Sequence, residues 1–293
     1  MDRRRTSSPI GAAVTADGLA DDPHPLLARL RAREPVSWLP AFDGWLVTRH
    51  DLALGVLRDA ATFTVDDPRF STARVIGPSM LSLDGAAHTR HRDPFARPLR
   101  PALARARFTA FIEAEVDRLV GALGPRGRAE LRGDFAGPLA VAVVAEALGL
   151  PDADATTIRS WYDAFVTAIS DLTAGRHGDA AEAHEELRTA VAAAIAGRHA
   201  SSLLVAVAEQ SAAHEGEGGA GLGPDEVVAN AAVLMFGGID TTEGMVANAV
   251  LHLLDHPDQL ALLRADPGLL PGAIEESLRF EPSAAVVDRY ATR

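Results

Sequence analysis

From Pro224 to about Leu254 the sequence holds a helical pattern for roughly 30 residues, about 45 Å at 1.5 Å per residue. A helix of that length crosses an entire domain, so the rest of the chain has to be arranged around it. Its start is well marked: Pro224-Asp225-Glu226 places proline in the first turn and two acids at the positive end of the helix dipole. Inside it lies Gly237-Gly238-Ile239-Asp240-Thr241-Thr242. Two adjacent glycines in a helix interior cost about 1 kcal/mol each relative to alanine, and they strip side-chain bulk from one patch. A flat ligand can approach the backbone there, with an acid and a hydroxyl directly after the gap to bind water and relay protons. The same residues also suit a helix–helix contact through small side chains, with a threonine bonding back to its own helix.

The rest of the pattern is mostly helical. Asp22 caps a short helix that begins at Pro23 and carries Leu26, Leu27 and Leu30. Val36–Leu39 and Trp45–Val47, separated by Asp43-Gly44, read as a hairpin. A second short helix fits Leu52, Leu54, Val56 and Leu57, and an amphipathic one runs from Phe108 through Leu123. Further helices are expected over Pro138–Leu148 (stopped by Gly149 and Pro151), Asp154–Ser170, Asp179–Ala196 and Ser201–Ala213. After the long helix come Pro257–Arg264, Gly272–Phe280 and a strand-like Val286–Tyr290.

Composition narrows the function. Apolar residues make up 47% and charged residues 23%, the balance of a globular protein. A net charge of -12 repels nucleic-acid backbone, so no nucleic-acid partner is expected. The chain has no cysteine, which excludes disulfides, zinc–cysteine sites and thiol nucleophiles. Met1–Ala13 carries Arg3, Arg4 and Arg5 but no apolar run fit for a signal peptide, and Leu139–Leu148 is too short to span a bilayer. The reading is a soluble, cytoplasmic protein with no membrane partner.

Two more segments can carry chemistry. In His88-Thr89-Arg90-His91-Arg92, His88 and Arg92 lie four apart and can grip an anion jointly; a solvated basic turn is the plainer reading. Pro94 and Pro98 predict that this helix kinks or ends near Asp93. Glu276 and Arg279, three apart, form by themselves an ordinary surface pair.

Taken together and in this order, the segments resemble hallmarks of the cytochrome P450 family, and the resemblance covers nearly the whole chain. It implies a mainly α, cytochrome P450-type helical fold with small β elements, as a single domain over residues 1–293 that lacks its C-terminal part. It implies haem (iron protoporphyrin) as cofactor, with His88, Arg92 and Arg289, in Asp288-Arg289-Tyr290, holding the propionates. Gly237 and Gly238 would lie over the oxygen-binding face, Thr241 would order water there, and Asp240 would connect it to solvent protons. Glu276 and Arg279 would be structural. The implied reaction inserts one oxygen atom of dioxygen into a small, apolar organic substrate, with electrons from a ferredoxin-type donor.

The chain departs from the family's pattern at its end. The cysteine loop of the family lies downstream of the final strand, and this chain stops at Arg293 without a cysteine. The expectation is therefore a truncated chain lacking the axial thiolate that favours O–O cleavage, and inactive as it stands. Its long helix should show an uncovered apolar face. The alternative is a non-catalytic helper subunit of a partner enzyme such as a glycosyltransferase, but a helper needs none of His88, Arg92, Asp240 and Thr241, and all four are present.

Three other features resolve plainly. Gly216-x-Gly218-x-x-Gly221 follows a helix instead of a strand and reads as a linker, not a dinucleotide loop. His252 and His256 are expected to stabilise the negative end of a helix and not to bind metal. Arg90, Arg92, Arg97, Arg100, Arg105 and Arg107 form a basic stretch: a solvated face or a dock for an acidic electron donor, with Arg105 and Arg107 as the residues to test.

Overall fold

The computed structural model describes residues 8–20, 22–150, 153–198, 202–216 and 220–292. The Arg3–Arg5 triplet and residues 217–219 of the glycine-rich stretch lie outside them. The chain divides into two compact units, Met1–Thr64 with Arg289–Arg293, and Val65–Asp288.

In the first unit, α1 (Ala16–Ala20) precedes α2 (Pro23–Arg33). The Asp22 side chain accepts from the His24 amide at 3.3 Å, satisfying one of the free donors at the start of α2. Strands β1 (Val36–Leu39) and β2 (Gly44–Val47) pair antiparallel with Trp38 opposite Trp45, their rings edge-on at 5.5 Å. Asp43 takes the left-handed conformation that closes the hairpin (φ 46°). Helix α3 spans His50–Arg58. Strand β3 (Phe63–Thr64) pairs antiparallel with β4 (Tyr290–Ala291), contributed by the far end of the chain. The strand predicted over Val286–Tyr290 is thus displaced: Val286 and Val287 stay exposed outside the ladder, which pairs Tyr290 and Ala291 with Thr64 and Phe63. Val14, Leu30 and Leu39 form this unit's core.

The second unit is built of helices: α4 (Ser71–Ile76), α5 (Gly85–Ala96), α6 (Pro101–Leu123), α7 (Gly137–Leu148), α8 (Ala155–Thr173), α9 (Ala181–Gly197), α10 (Leu203–Gly216), α11 (Pro224–Gly238), α12 (Asp240–Asp255), α13 (Pro257–Ala265) and α14 (Leu270–Phe280). A single π-helical turn, Arg132–Ala136, leads into α7. Helix α11 packs against α4, α7, α8, α9 and α10. Its Val228, Ala231, Ala232 and Met235 join Phe165, Leu187, Val191 and Leu204 in the main core.

Two expectations are corrected here. The single long helix is two helices, α11 and α12, interrupted at the fully buried Ile239 (φ -88°, ψ -73°). Hydrogen bonds persist on either side, Ile239 N–H to the Met235 carbonyl and Glu243 N–H to the Ile239 carbonyl, both at 2.9 Å. Directly before the break, at Gly238, a β-carbon would stand 2.4 Å from the Val144 side chain of α7, an approach that favours glycine. The helix bearing His88 does not end near Asp93 but runs through Pro94 to Ala96. Proline removes one helical hydrogen bond, and the burial of Pro94 and Phe95 holds the last turn in place.

Candidate functional site

Three groups of residues in the second unit bear on function. The first is the face of α5. His88 is half-buried and Arg92, one turn on, is exposed; neither side chain has a hydrogen-bond or ion-pair partner among the described residues. They are a cation and a donor on one helical face, left available. The next face of the same helix is the reverse. Arg90 pairs with Glu226 of α11, and the buried His91 is bonded to both Glu226 and Asn230. These contacts fix α5 against α11.

The second group lies at the break. The two glycines have different surroundings. Gly238 is filled by Val144, whereas a β-carbon on Gly237 would meet nothing within 4 Å. Gly237 therefore leaves an open notch beside Thr241. The Thr241 hydroxyl donates to the Gly237 carbonyl at 2.6 Å, the back-bond that small hydroxyl residues make in helices. Its lone pairs remain able to accept from a water in the notch. The Ser283 hydroxyl donates to the Thr241 carbonyl at 2.9 Å and holds this turn from the other side.

The third group surrounds Asp240. Its carboxylate is half-exposed and accepts from Arg132 Nη2 at 3.1 Å. Arg132 uses its Nε on Glu243, which also accepts from Arg159 Nη1 at 2.8 Å. Glu243 is 3% exposed, so its charge is tolerated only because two guanidiniums, from the π turn and from α8, close on it. Gly137 makes the room: a β-carbon there would stand 2.8 Å from Glu243 Oε2. The Tyr162 pKa is pushed up, first by burial and then by the Asp240 charge. A cavity of about 820 Å³ opens over this cluster, lined by Arg132, Arg159, Asp163 and Glu243.

Other predicted residues fall elsewhere. Arg289 lies in the first unit, next to β4. Glu276 and Arg279 form a bidentate pair, both bonds 2.7 Å, with both side chains more than half exposed. His256 donates from Nδ1 to the His252 carbonyl at 2.8 Å at the end of α12, as expected of a residue at a helix end, while His252 instead bonds to Ser277 and Glu281 of the α14 region. Among the described residues no cluster of three metal-ligating side chains occurs.

The basic stretch is not uniform. Arg107 is turned inward: its Nη2 donates to the Glu146 and Ala147 carbonyls at the C-terminus of α7, and its guanidinium lies 4.5 Å from the Phe108 ring centre. Burial lowers its pKa. It caps a helix, so it cannot serve a dock. Arg97, Arg100 and Arg105 are exposed, with Leu99 and Leu103 exposed between them.

The residues that the sequence did not single out are Arg132, Arg159, Tyr162, Glu243 and Asn230, while Glu226 was read only as a helix-start acid and His91 only as part of the basic segment. Only Asn230 leaves a readable trace, a polar side chain in the apolar run Val227–Leu234.

Among the described residues no helix is long and apolar enough to cross a membrane. No family model matches the chain. Curated relatives do. The chain is 36% identical over 289 residues to the cytochrome P450 monooxygenase PikC of Streptomyces venezuelae, covering 94% of this chain and 67% of that protein. It is 32% identical over 289 residues to cytochrome P450 107B1 of Saccharopolyspora erythraea, covering 92% and 68%. The crystal structure of CalO2 superposes with a TM-score of 0.74 at 30% identity, over 91% of this chain and 68% of that one. The chain thus spans about two thirds of the length of these relatives, and over that span both sequence and helical architecture agree: it belongs to the cytochrome P450 family.

Proposed function

We propose that this chain provides the distal face and the propionate grip of a haem monooxygenase site that oxidises a small, apolar organic substrate. Haem is the cofactor of the family, and when bound it supplies the dioxygen-activating iron chemistry. The residues present fit its distal and acid-bearing sides. The carrying observation is the notch at Gly237, open to anything flat, in a helix fixed by the Glu226 and Asn230 bonds to the helix that presents His88 and Arg92. No cysteine is available to act as the family's thiolate, so iron ligation is not a role of these residues.

Each side chain then has a task that its surroundings suit. Arg92 pairs with one propionate carboxylate and His88 donates a hydrogen bond to it. Gly237 keeps the notch free of side-chain bulk. Thr241, with its hydrogen committed to the Gly237 carbonyl, accepts from a water and holds it in the notch. Asp240, half-exposed and steadied by Arg132, passes protons between solvent and that water. Glu276 with Arg279 is structural. Exposed Arg97, Arg100 and Arg105 form the dock for an acidic, ferredoxin-type electron donor.

The test is titration of the protein with haem and, separately, with haem dimethyl ester, which lacks the acid arms, followed by absorbance. Haem should bind at least about tenfold more tightly than the ester, as expected for one charge-assisted pair. Arg92→Gln and His88→Leu should each shrink that difference. Equal affinity for the two compounds in the unaltered protein overturns the propionate grip.

A further inference from the structure

His91 is nearly sealed, with its side chain 1% exposed, and it sits on the same helix turn as the two residues assigned to the propionates. Its protonation state is fixed by what surrounds it. Asn230, itself fully buried, accepts from the Met80 amide through Oδ1 at 2.8 Å and donates from Nδ2 to the Glu226 backbone carbonyl at 2.7 Å. Turning the amide over would set donor against donor at Met80 and acceptor against acceptor at Glu226. These two backbone groups therefore fix its orientation, and the amide nitrogen must face His91 Nδ1, 2.9 Å away. That nitrogen of the ring can only accept. The ring proton is then on Nε2, directed at Glu226 Oε1 at 3.2 Å.

A second proton has nowhere to go. On Nδ1 it would meet the Asn230 amide hydrogens, and no other acceptor is bonded to that atom. The charged groups facing the ring are Glu226 of α11, which favours the imidazolium, and Arg90 of its own helix, which opposes it from 3.1 Å. Glu226 is already occupied by both Arg90 nitrogens and by the Gly223 amide. Helix α10 packs on α5 and lines the neighbouring cavity of about 310 Å³ with Gln210 and Ser211, both uncharged, with Asp93 of α5 on the cavity's wall.

We propose that His91 is a proton-sensitive latch: neutral, with its hydrogen on Nε2, it locks α5 to α11 through Asn230, and a second proton releases that lock. Release loosens the helix turn carrying His88 and Arg92. The consequence for haem rests on the reading of those two residues given above; the latch itself does not. Burial acts in the same sense, lowering the His91 pKa from its ordinary value, with the nearby Arg90 adding to it.

The latch is tested on the protein without haem, by histidine 15N NMR and by amide hydrogen exchange as pH is lowered. In the unaltered protein His91 should show a single neutral tautomer with Nδ1 bare, and should stay neutral at a pH where ordinary histidines are protonated. Exchange of the α5 amides should accelerate as pH falls below about 6.5, by up to about tenfold per unit beyond the intrinsic change, the limit for one linked proton. Asn230→Asp reverses the geometry: a carboxylate oxygen faces Nδ1, the imidazolium is favoured, and acid should then protect α5. His91→Leu, which fills the same space, should abolish the pH response without reversing it. A proton found on Nδ1, titration at the ordinary value, or α5 exchange that ignores pH each overturns the latch. A loss of haem-over-ester preference with the NMR result intact would instead overturn the propionate reading.

Discussion

Residues 224–239 and 240–288 lie in one unit and are both helical, yet they occupy opposite environments. Along α11 nearly every side chain from Val227 to Met235 is buried, and Ile239 closes the core. Beyond that residue no apolar side chain is fully buried: Leu251, Leu254, Leu262, Ile274, Leu278 and Phe280 are exposed. The buried side chains of this second stretch are Glu243 and Ser277, both polar. The second stretch, though less apolar than the first, still carries many leucines and valines that the fold leaves uncovered, and packing partners account for that. Helix α11 is packed by α4, α7, α8, α9 and α10 and bonded to α5, whereas α12 meets α7, the π turn, α13 and α14. The uncovered apolar face that the sequence predicts for the long helix is therefore real, but it belongs to its second half and continues onto α13 and α14.

The largest test of this contrast is a pair of truncations. Phe165→Ala removes a fully buried ring packed beside Phe236 of α11 and should cost about 3–5 kcal/mol. Leu254→Ala, at a side chain 62% exposed, should change stability by no more than about 0.5 kcal/mol. Urea denaturation reads both, and similar losses at the two sites would erase the distinction.

A second comparison sets the two acidic pairs of the α12–α14 region against each other. Glu243→Gln keeps the shape but removes the charge on which Arg132 and Arg159 converge, and should cost about 1–3 kcal/mol. Glu276→Gln breaks a fully solvated pair, and the unfolding midpoint should not move. Measured in the same denaturant series, a silent Glu243→Gln would show the buried carboxylate to be incidental.

What was legible in the sequence was local. The apolar period predicts α7 to α10 to within a few residues and the end of α6, whose start lies at Pro101 well before the Phe108 that the period marks; Asp22 and Gly149 mark helix ends by their chemistry, and the hairpin is written in Asp43-Gly44. What was not legible depends on residues far apart along the chain. The contact of Gly238 with Val144 joins two helices about ninety residues apart. Asp240 is visible as an acid beside two glycines, but Arg132, which pairs with it, carries no mark among the chain's many arginines. Arg107 and Arg105 look alike in the sequence, and only burial separates a helix cap from a solvated charge.

Acid sharpens the contrast from the polar side. Glu226 is held down to about 2 from an ordinary 4.5, first by the Arg90 hydrogen bonds. Its contribution is complete above 4.5 and is lost as pH falls toward 2. His91 is also lowered, so its folded form resists a proton that the unfolded chain accepts, and its contribution is complete above 6.5 and fades as pH falls below that. Both act on the α5–α11 contact. The thermal midpoint should therefore drop from pH 7 toward pH 4, by about 2–4 °C for each kcal/mol lost. Amide exchange should rise earlier in α5 than in α13, where neither group makes a contact. Uniform loosening of both helices would contradict this.

The finest test uses the two glycines at the boundary between the halves. Gly238→Ala places a methyl 2.4 Å from Val144 and should cost about 1–3 kcal/mol, because α7 cannot withdraw without opening the core around Val141 and Leu148. Gly237→Ala meets nothing, so the gain in helix propensity should prevail and stabilise the protein by up to about 1 kcal/mol. Adjacent residues of identical chemistry should thus shift the urea midpoint in opposite directions. A methyl at 237 would at the same time narrow the notch beside Thr241, so the more stable variant should bind haem less tightly than the unaltered protein. If Gly237→Ala were stabilising and left haem uptake untouched, the notch would be a packing vacancy and not a seat for a flat ligand.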